Sequence, residues 1–313
     1  MGAKNNFVPG TVGLAPMAGV TDYPFRKICF ELGAKFAFTE MISAKSVLLN
    51  ITINEKYFPR VDEKHLVGVQ LFGSDPFELA QAAALVEERG LWVDLNAGCP
   101  VAKVVKRGAG SALLKDIDLL KKIVREMRRV VKRLSVKTRI GWEKDEFERI
   151  YDALVSEGVD VIFVHGRTAK QMYSGKAKWD IYNPGVVPLY ISGDIYSKDD
   201  MKRAMELSGA DGVIVARGAI GNPWIFSENE DGPSLDDKLR VILKHIDLLT
   251  QEYGKHGVVE FRKFVAGYTK DMPHAREFRN KVMKIADVND LKDAFTEYFK
   301  SVSELSQHER TSF

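Results

Sequence analysis

The 313-residue chain is 45% hydrophobic and 28% charged, with a formal net charge of +3 and a mean hydropathy of −0.18, the balance of a globular protein with ample core. No apolar run approaches the roughly 18 residues that a membrane helix needs, and two cysteines, Cys29 and Cys99, are too few for a disulfide framework or a cysteine-based metal cluster. The segment Met1–Pro9 has no apolar signal core, and Asn6 stands where a myristoylation signal wants Ser or Thr. With so few cysteines a reducing cytoplasm is the expected location, and since nothing demands a dimer a monomer is the expected state.

Short β-rich runs recur along the first 220 residues or so, near Val12–Ala15, Phe36–Glu40, Val67–Phe72, Trp92–Asn96, Ser135–Arg139, Val159–Val164, Leu189–Ser192 and Gly212–Ala216. Helical patterns at Pro24–Leu32, Pro76–Arg89, Asp118–Arg133, Asp145–Ser156 and Lys198–Leu207 separate most of them. Eight strands alternating with helices predict an α/β fold, a (β/α)8 TIM barrel. Glu228–Ser234 is polar and turn-rich and reads as a linker, with Ser234 placed to cap the helix after it. Four helical patterns follow, near Leu235–Tyr253, Val258–Lys270, Ala275–Ile285 and Asp290–Leu305. The expected division is therefore a barrel domain over residues 1–230 and a small C-terminal all-helical bundle over 231–313.

Charge is unevenly spread. Thirteen basic residues face three acidic ones between Lys103 and Arg139, and eight face three between Lys255 and Lys284. Such asymmetry points to a polyanionic partner, with solvated helix faces as the plainer reading.

The chemistry-bearing residues gather at the predicted carboxyl ends of the strands, where barrel active sites lie. The first strand runs into Ala15-Pro16-Met17-Ala18-Gly19-Val20-Thr21-Asp22, small residues and a proline that let a flat ring lie against the backbone. Gln70 lies near the end of the third strand, and Asn96-Ala97-Gly98-Cys99-Pro100 turns off the fourth with a thiol at the turn. Lys137 and Arg139 end the fifth, His165-Gly166-Arg167-Thr168 the sixth, Ser192-Gly193-Asp194 the seventh and Ala216-Arg217-Gly218 the eighth. Glycine-bearing loops after the last two strands suit a phosphate, and Arg217 adds a charge-assisted donor. An inward-pointing Lys137 would stabilise negative charge on a ring such as a reduced flavin, while Gln70 and Asn96 satisfy its imide edge. Cys29, inside the first amphipathic helix, reads as core. The six histidines show no ligand spacing, so no metal site is expected, and no nucleophile-elbow sequence supports a hydrolase.

Leu14–Asp22, Gln70-Leu71-Phe72-Gly73, Asn96–Pro100, Val136-Lys137-Thr138-Arg139, His165–Thr168 and Arg217–Trp224 together resemble the tRNA-dihydrouridine synthases, and Glu260–Lys263 and Tyr268–Lys270 extend the resemblance into the tail. The resemblance implies a flavin-dependent reductase that converts uridines of tRNA to 5,6-dihydrouridine. FMN would sit over the barrel mouth and be reduced by NADPH, or by NADH, since no separate nicotinamide motif is visible. Hydride would pass to uracil C6, and Cys99, by motif match, would protonate C5. Matching FMN positions are Pro16, Met17, Ala18, Gln70, Lys137, His165, Ser192, Gly193, Asp194, Ala216 and Arg217. Asn96, Lys103, Lys106, Arg107, Arg139, Arg167, Arg262, Lys263 and Arg279 are the expected substrate contacts, the tail recognising folded tRNA. Ser192 departs from the Asn that the family usually carries before Gly-Asp. Two alternatives stand beside this reading. A flavin enzyme for a free small molecule, of dihydroorotate dehydrogenase type, would explain the rim but not the tail. A non-catalytic tRNA-binding protein would leave Cys99, Lys137 and His165 without a role.

Overall fold

The structure is a computed structural model, which describes residues 8–311. In chain order it forms β1 (Thr11–Leu14), α1 (Tyr23–Glu31), β2 (Ala37–Phe38), β3 (Val67–Phe72), α2 (Pro76–Glu87) and β4 (Trp92–Ala97). It continues with α3 (Ile117–Arg128), β5 (Leu134–Arg139), α4 (Phe147–Ser156), β6 (Val161–His165), β7 (Leu189–Ser192), α5 (Lys198–Ser208) and β8 (Gly212–Val215). Helices α6 (Leu235–Tyr253), α7 (Gly257–Tyr268), α8 (Ala275–Val282) and α9 (Val288–Thr311) follow.

Every strand pairing is parallel, in the order β1-β8-β7-β6-β5-β4-β3-β2. The amides of Leu14 and Lys35 donate to the carbonyls of Phe36 and Val12, each at 2.9 Å, which joins the first strand to the second and closes the ring. The expected eight-stranded barrel is thus present, although residues 166–188 run from β6 to β7 without a helix. The second strand is shorter than its pattern predicts and resumes at Ile42–Ser43 beside β3. The break has a local cause: the Thr39 hydroxyl accepts from the Gln70 amide at 3.1 Å, standing in for a backbone carbonyl.

Helix starts follow the capping residues. Asp75 accepts from the amides of Phe77 and Glu78 ahead of Pro76, Asp116 from Leu119, and Ser197 with Asp200 forms a reciprocal box. On α3, Ile117, Leu120, Ile123, Val124 and Met127 form the buried face, and the basic residues lie opposite.

Aromatic side chains fill the floor of the barrel. Phe36, Phe38, Trp92, Phe163 and Tyr190 are buried together, with Phe38–Phe163 at 4.9 Å and Phe36–Tyr190 at 5.2 Å, both edge-to-face. Glycine at positions 13 and 212 makes this possible, since a Cβ at either would overlap the Phe36 or Tyr190 ring.

The chain divides into two compact units, one holding the described residues through Tyr23 with Ala34–Gly218, the other Pro24–Gly33 with the described residues from Ala219. The border expected at 230/231 therefore falls inside the second unit, which also takes in α1. The physical reason is the Phe25 ring, which packs on Phe264 at 4.8 Å and stacks on His245 at 5.7 Å. That unit has its own core, including Phe261 on Phe295 at 5.6 Å and Phe278 stacked on Tyr298 at 4.0 Å. Among the described residues no helix is long and apolar enough to cross a membrane.

Replacing Phe163 by Ala should cost about 3–5 kcal/mol, because the ring lies at the centre of the aromatic floor and its neighbours cannot collapse into the space. Urea unfolding of Phe163→Ala against the parent reads this directly, and a loss below about 1 kcal/mol would show that the floor carries little of the stability.

Candidate active site

The carboxyl ends of the strands enclose a cavity of about 320 Å³, within the range of ligand sites. The loop after β1 contributes Pro16, Met17 and Ala18 to its wall, held as a turn in which the Met17 amide donates to the Thr21 hydroxyl and the Met17 carbonyl accepts from the amides of Val20 and Thr21. Gln70 comes from β3, Asn96 and Cys99 from β4 and its turn, Lys137 and Arg139 from β5, and His165 from β6. Ser192, Gly193 and Asp194 complete the ring from β7, and Ala216 and Arg217 from β8. One strand register therefore gathers Cys99 and all eleven residues expected to hold the cofactor around one space.

The turn that carries Cys99 is fixed on both sides. Asn96 Oδ1 accepts from the backbone amides of Gly98 at 3.1 Å and Cys99 at 2.9 Å. Arg139 Nε donates to the Gly98 carbonyl at 2.9 Å, and the Ser111 amide to the Cys99 carbonyl at 3.0 Å. A Cβ on Gly98 would approach the Thr138 backbone to 3.2 Å, so the turn lies close against β5. Cys99 itself is half-buried and faces the cavity, whereas Cys29 is fully buried, as expected of a core residue.

Charge in the cavity is shaped by burial. Burial pushes the Lys137 ammonium down to about 8, and Arg139 adds to this against the pull of Asp94 and Cys99. Burial also drives His165 down to about 2, reinforced by Lys137, Arg139, Arg167 and Arg217, so its ring is neutral. Asp94, wholly buried beneath, is pushed up by desolvation to about 7 while hydrogen bonds from Ser135 and Gln70 and the charge of Lys137 oppose the rise.

Asp194 has a left-handed backbone with φ of 55°. Burial raises its carboxyl, but donation from Arg167 at 2.6 Å and from the Ala177 amide at 2.8 Å, with the charges of Arg167 and Arg217, outweighs burial and holds the carboxyl below its usual value. Gly193 has no room for a side chain, since a Cβ would meet Ala177 at 2.8 Å and His165 at 2.9 Å.

The expected substrate contacts are only partly brought to the cavity. Asn96 and Arg139 line it. Arg167 does not. It is 2% exposed, and its guanidinium donates to the carbonyls of Ser174 and Gly175 and to Asp194, so it builds the loop after β6. Lys103, Lys106 and Arg107 are exposed on the segment that follows the Cys99 turn. In the second unit Arg279 donates to Thr269 Oγ1 and to the carbonyls of Ala266 and Thr269, closing the end of α7. Arg262 donates to the Ile285 carbonyl, and Lys263 pairs with Glu260. These three first serve their own fold.

Four of the thirteen basic residues between Lys103 and Arg139, all on or just after α3, are paired with carboxylates. Glu157 receives Arg125 at 2.7 Å and Lys121 at 3.6 Å, Asp160 receives Arg128 at 2.7 Å, and Glu126 receives Arg129 at 2.8 Å. The outer face of α3 is a laced helix surface, the plainer of the two readings of its composition.

Sequence reasoning missed Met41, Tyr173 and Tyr196, which also line the cavity. Arg217 lies over the rings of Tyr173 and Tyr196, 5.1 and 5.7 Å from their centroids. Tyr173 stands in the helix-free stretch after β6, where no periodicity marks which side chains turn inward. Among the described residues no group of three or more His, Cys, Asp or Glu is placed to hold a metal ion.

The buried histidines carry a pH prediction. His165 at about 2 and His245 at about 3 sit far below the ordinary 6.5, so the unfolded chain binds protons that the folded chain refuses. Their contribution to stability is complete above 6.5 and is lost as pH falls from there towards the folded values. In ligand-free protein both imidazoles should stay neutral in NMR titration from about pH 8 to about pH 5. Titration of either near its ordinary value would contradict the burial assigned to it.

The chain matches the family profile described as dihydrouridine synthase (Dus) over residues 13–303. It is 35% identical over 302 residues to the probable tRNA-dihydrouridine synthase of Aquifex aeolicus (strain VF5), covering 91% of this chain and 95% of that protein. It is 35% identical over 307 residues to tRNA-dihydrouridine synthase B of Pasteurella multocida (strain Pm70), covering 92% of each. Among solved structures, histamine dehydrogenase from Rhizobium sp. 4-9 aligns with 13% identity and a TM-score of 0.44, over 76% of this chain and 45% of that one, which adds nothing to the fold read from the strands. Profile and relatives agree over nearly the whole length: the chain belongs to the dihydrouridine synthase family.

Proposed function

We propose that this protein reduces uridines of tRNA to 5,6-dihydrouridine, with FMN held in the barrel-mouth cavity and NADPH as its reductant. The observation that carries the reading is the Cys99 thiol, presented by a fixed turn to the same cavity that Lys137, Gln70 and Asn96 line. The residues present fit a flavin mononucleotide. A cation whose charge burial disfavours gains most from an electron-accepting ring beside it, and Lys137 is such a cation. The exposed guanidinium of Arg217 and the glycine at 193 suit a phosphate tail. Pro16, Met17, Ala18 and Gln70 would hold the ring, with His165, Ser192, Gly193, Asp194, Ala216 and Arg217 towards the tail.

When bound and reduced, the cofactor supplies hydride for C6 of the uracil. Everything else falls to the protein. Asn96 Oδ1 is occupied by the turn amides and one Nδ2 hydrogen by Gln70 Oε1, so the base would take the second Nδ2 hydrogen, which here faces Met41 Sδ at 3.7 Å. Cys99 Sγ–H gives its proton to C5 as a general acid. The thiolate left behind is stabilised by Lys137 and Arg139 until solvent reprotonates it. Lys103, Lys106 and Arg107 take phosphates of the RNA beside the cavity, and exposed Arg276 and Lys281 do the same on the second unit.

Incubating unmodified tRNA anaerobically with the protein, FMN and NADPH should add about two mass units, one hydride and one proton, to a uridine in nucleoside mass spectrometry. Cys99→Ala should abolish the gain while retaining yellow flavin. No gain on tRNA, with turnover of free uracil or orotate instead, would replace the proposal with a small-molecule reductase.

Changing Lys103, Lys106 and Arg107 together to Ala should weaken tRNA binding and reduce the slope of log affinity against log salt by about 1 for each phosphate no longer neutralised. Filter binding between low and moderate salt measures the slope, and an unchanged slope would remove these residues from the RNA surface.

A further inference from the structure

Beneath the cavity a line of buried hydrogen bonds runs across three neighbouring strands. Gln70 on β3 stands in register with Asp94 on β4, and Asp94 with Ser135 on β5. All three are essentially without solvent exposure. Trp92 Nε1 donates to Ser135 Oγ at 3.0 Å, and Ser135 Oγ donates to Asp94 Oδ1. From the other side, Gln70 Nε2 donates to Asp94 Oδ2 at 2.7 Å, and Asn96 Nδ2 donates to Gln70 Oε1 at 2.8 Å. Asn96 Oδ1 in turn receives the amides of Gly98 and Cys99.

With Asp94 in its carboxylate form, which the donors Ser135 and Gln70 and the charge of Lys137 favour against burial, each link in this line has one direction only. The carboxylate has no proton to give, so every bond converging on it then donates towards it. A primary amide presents an acceptor at one end and a donor at the other. Once Gln70 gives its NH2 to Asp94, its oxygen must face Asn96. Once Asn96 gives its NH2 to Gln70, its oxygen must face the turn. Reversal of Asn96 would set its NH2 against the N–H groups of the Cys99 turn, and reversal of Gln70 would set its oxygen against the Asp94 carboxylate and its NH2 against that of Asn96; either leaves buried groups unpaired, which is costly in a low-dielectric interior.

We propose that Asp94 is a positioning residue for the reaction: as the common end of both donor lines, it fixes the amide orientations of Gln70 and Asn96 and so holds the Cys99 turn against the cavity. The proposal rests on the reductase reading for its effect on turnover, but its structural content stands apart from that reading. Asp94 does not line the cavity and acts through Gln70 and Asn96, which do. Ser135 meets the same carboxylate from the side away from the turn, so its removal gives a graded comparison.

The test compares Asp94→Asn with Ser135→Ala, both in the full chain as purified with its flavin content measured by absorbance. Asp94→Asn keeps the shape but puts an NH2 where an oxygen stood, so one donor line is met by a donor. Backbone hydrogen–deuterium exchange at Gly98 and Cys99 should accelerate by on the order of tenfold in Asp94→Asn, with the remaining strands keeping their protection. Turnover on tRNA should fall about 10- to 100-fold with KM for tRNA unchanged, the usual scale for groups that orient a site from behind it. Ser135→Ala, which removes one of the two side-chain donors to Asp94 but leaves the Gln70 link, should accelerate turn exchange by less than Asp94→Asn does and leave KM as in the parent. Exchange at the turn unchanged in Asp94→Asn would overturn the proposal, and so would a rise shared equally by every strand, which marks a purely structural residue. Should Asp94→Asn fail to fold, the parent protein still decides: the side-chain amide protons of Gln70 and Asn96 should exchange slowly and as distinct NMR signals, and rapidly averaged signals would overturn it. Faster turn exchange in a protein that forms no dihydrouridine would uphold the positioning and refute the function.

Discussion

Asn96 Oδ1 accepts two consecutive backbone amides, and the active end of the molecule depends on that one atom. A thiol on a free loop would sample many directions and deliver a proton poorly. Here the loop is tied at both amides by Asn96 and at both carbonyls by Arg139 and Ser111, so the chain that leaves β4 has little freedom before Pro100. The constraint is also electrostatic. Arg139 secures the turn and, with Lys137, supplies the charge that a departing proton would need behind it.

The barrel beneath is layered to make that constraint possible. The aromatic floor of Phe36, Phe38, Trp92, Phe163 and Tyr190 excludes water from the lower half. Above it lies the line of polar groups at Ser135, Asp94 and Gln70, and above that the cavity with its cations. Trp92 belongs to both lower layers, its ring packing in the floor and its indole N–H starting the polar line. Burial is what gives the polar layer its specificity, since unpaired groups there have no water to turn to.

The strands are legible in the sequence because a barrel strand buried on both sides reads as a run such as Val67–Phe72 or Val161–His165. The cavity is legible because strand ends in register converge, so Gln70, Lys137 and His165 group together from sequence alone. Arg167 cannot be placed this way, since its partners come from Ser174, Gly175 and Asp194, whose proximity arises only when the long loop after β6 folds back. Arg279 is ambiguous for a similar reason: a basic residue near a helix end reads equally as a phosphate contact or a cap, and its guanidinium here donates to the Thr269 carbonyl. The basic composition around α3 also conceals its answer, because Glu157 and Asp160 lie some thirty residues further along the chain. Asp94 does carry a signal. It stands two residues before Asn96 on the same strand, hence on the same face, and an acidic residue inside an apolar strand asks for partners.

The central claim is that Cys99, held in one orientation, delivers the proton. Turnover in D2O followed by NMR of the released dihydrouridine tests it most directly, because a fixed donor reaches C5 from one side. The account predicts deuterium at a single stereochemical position on C5. Deuterium divided over both positions of C5 would contradict it.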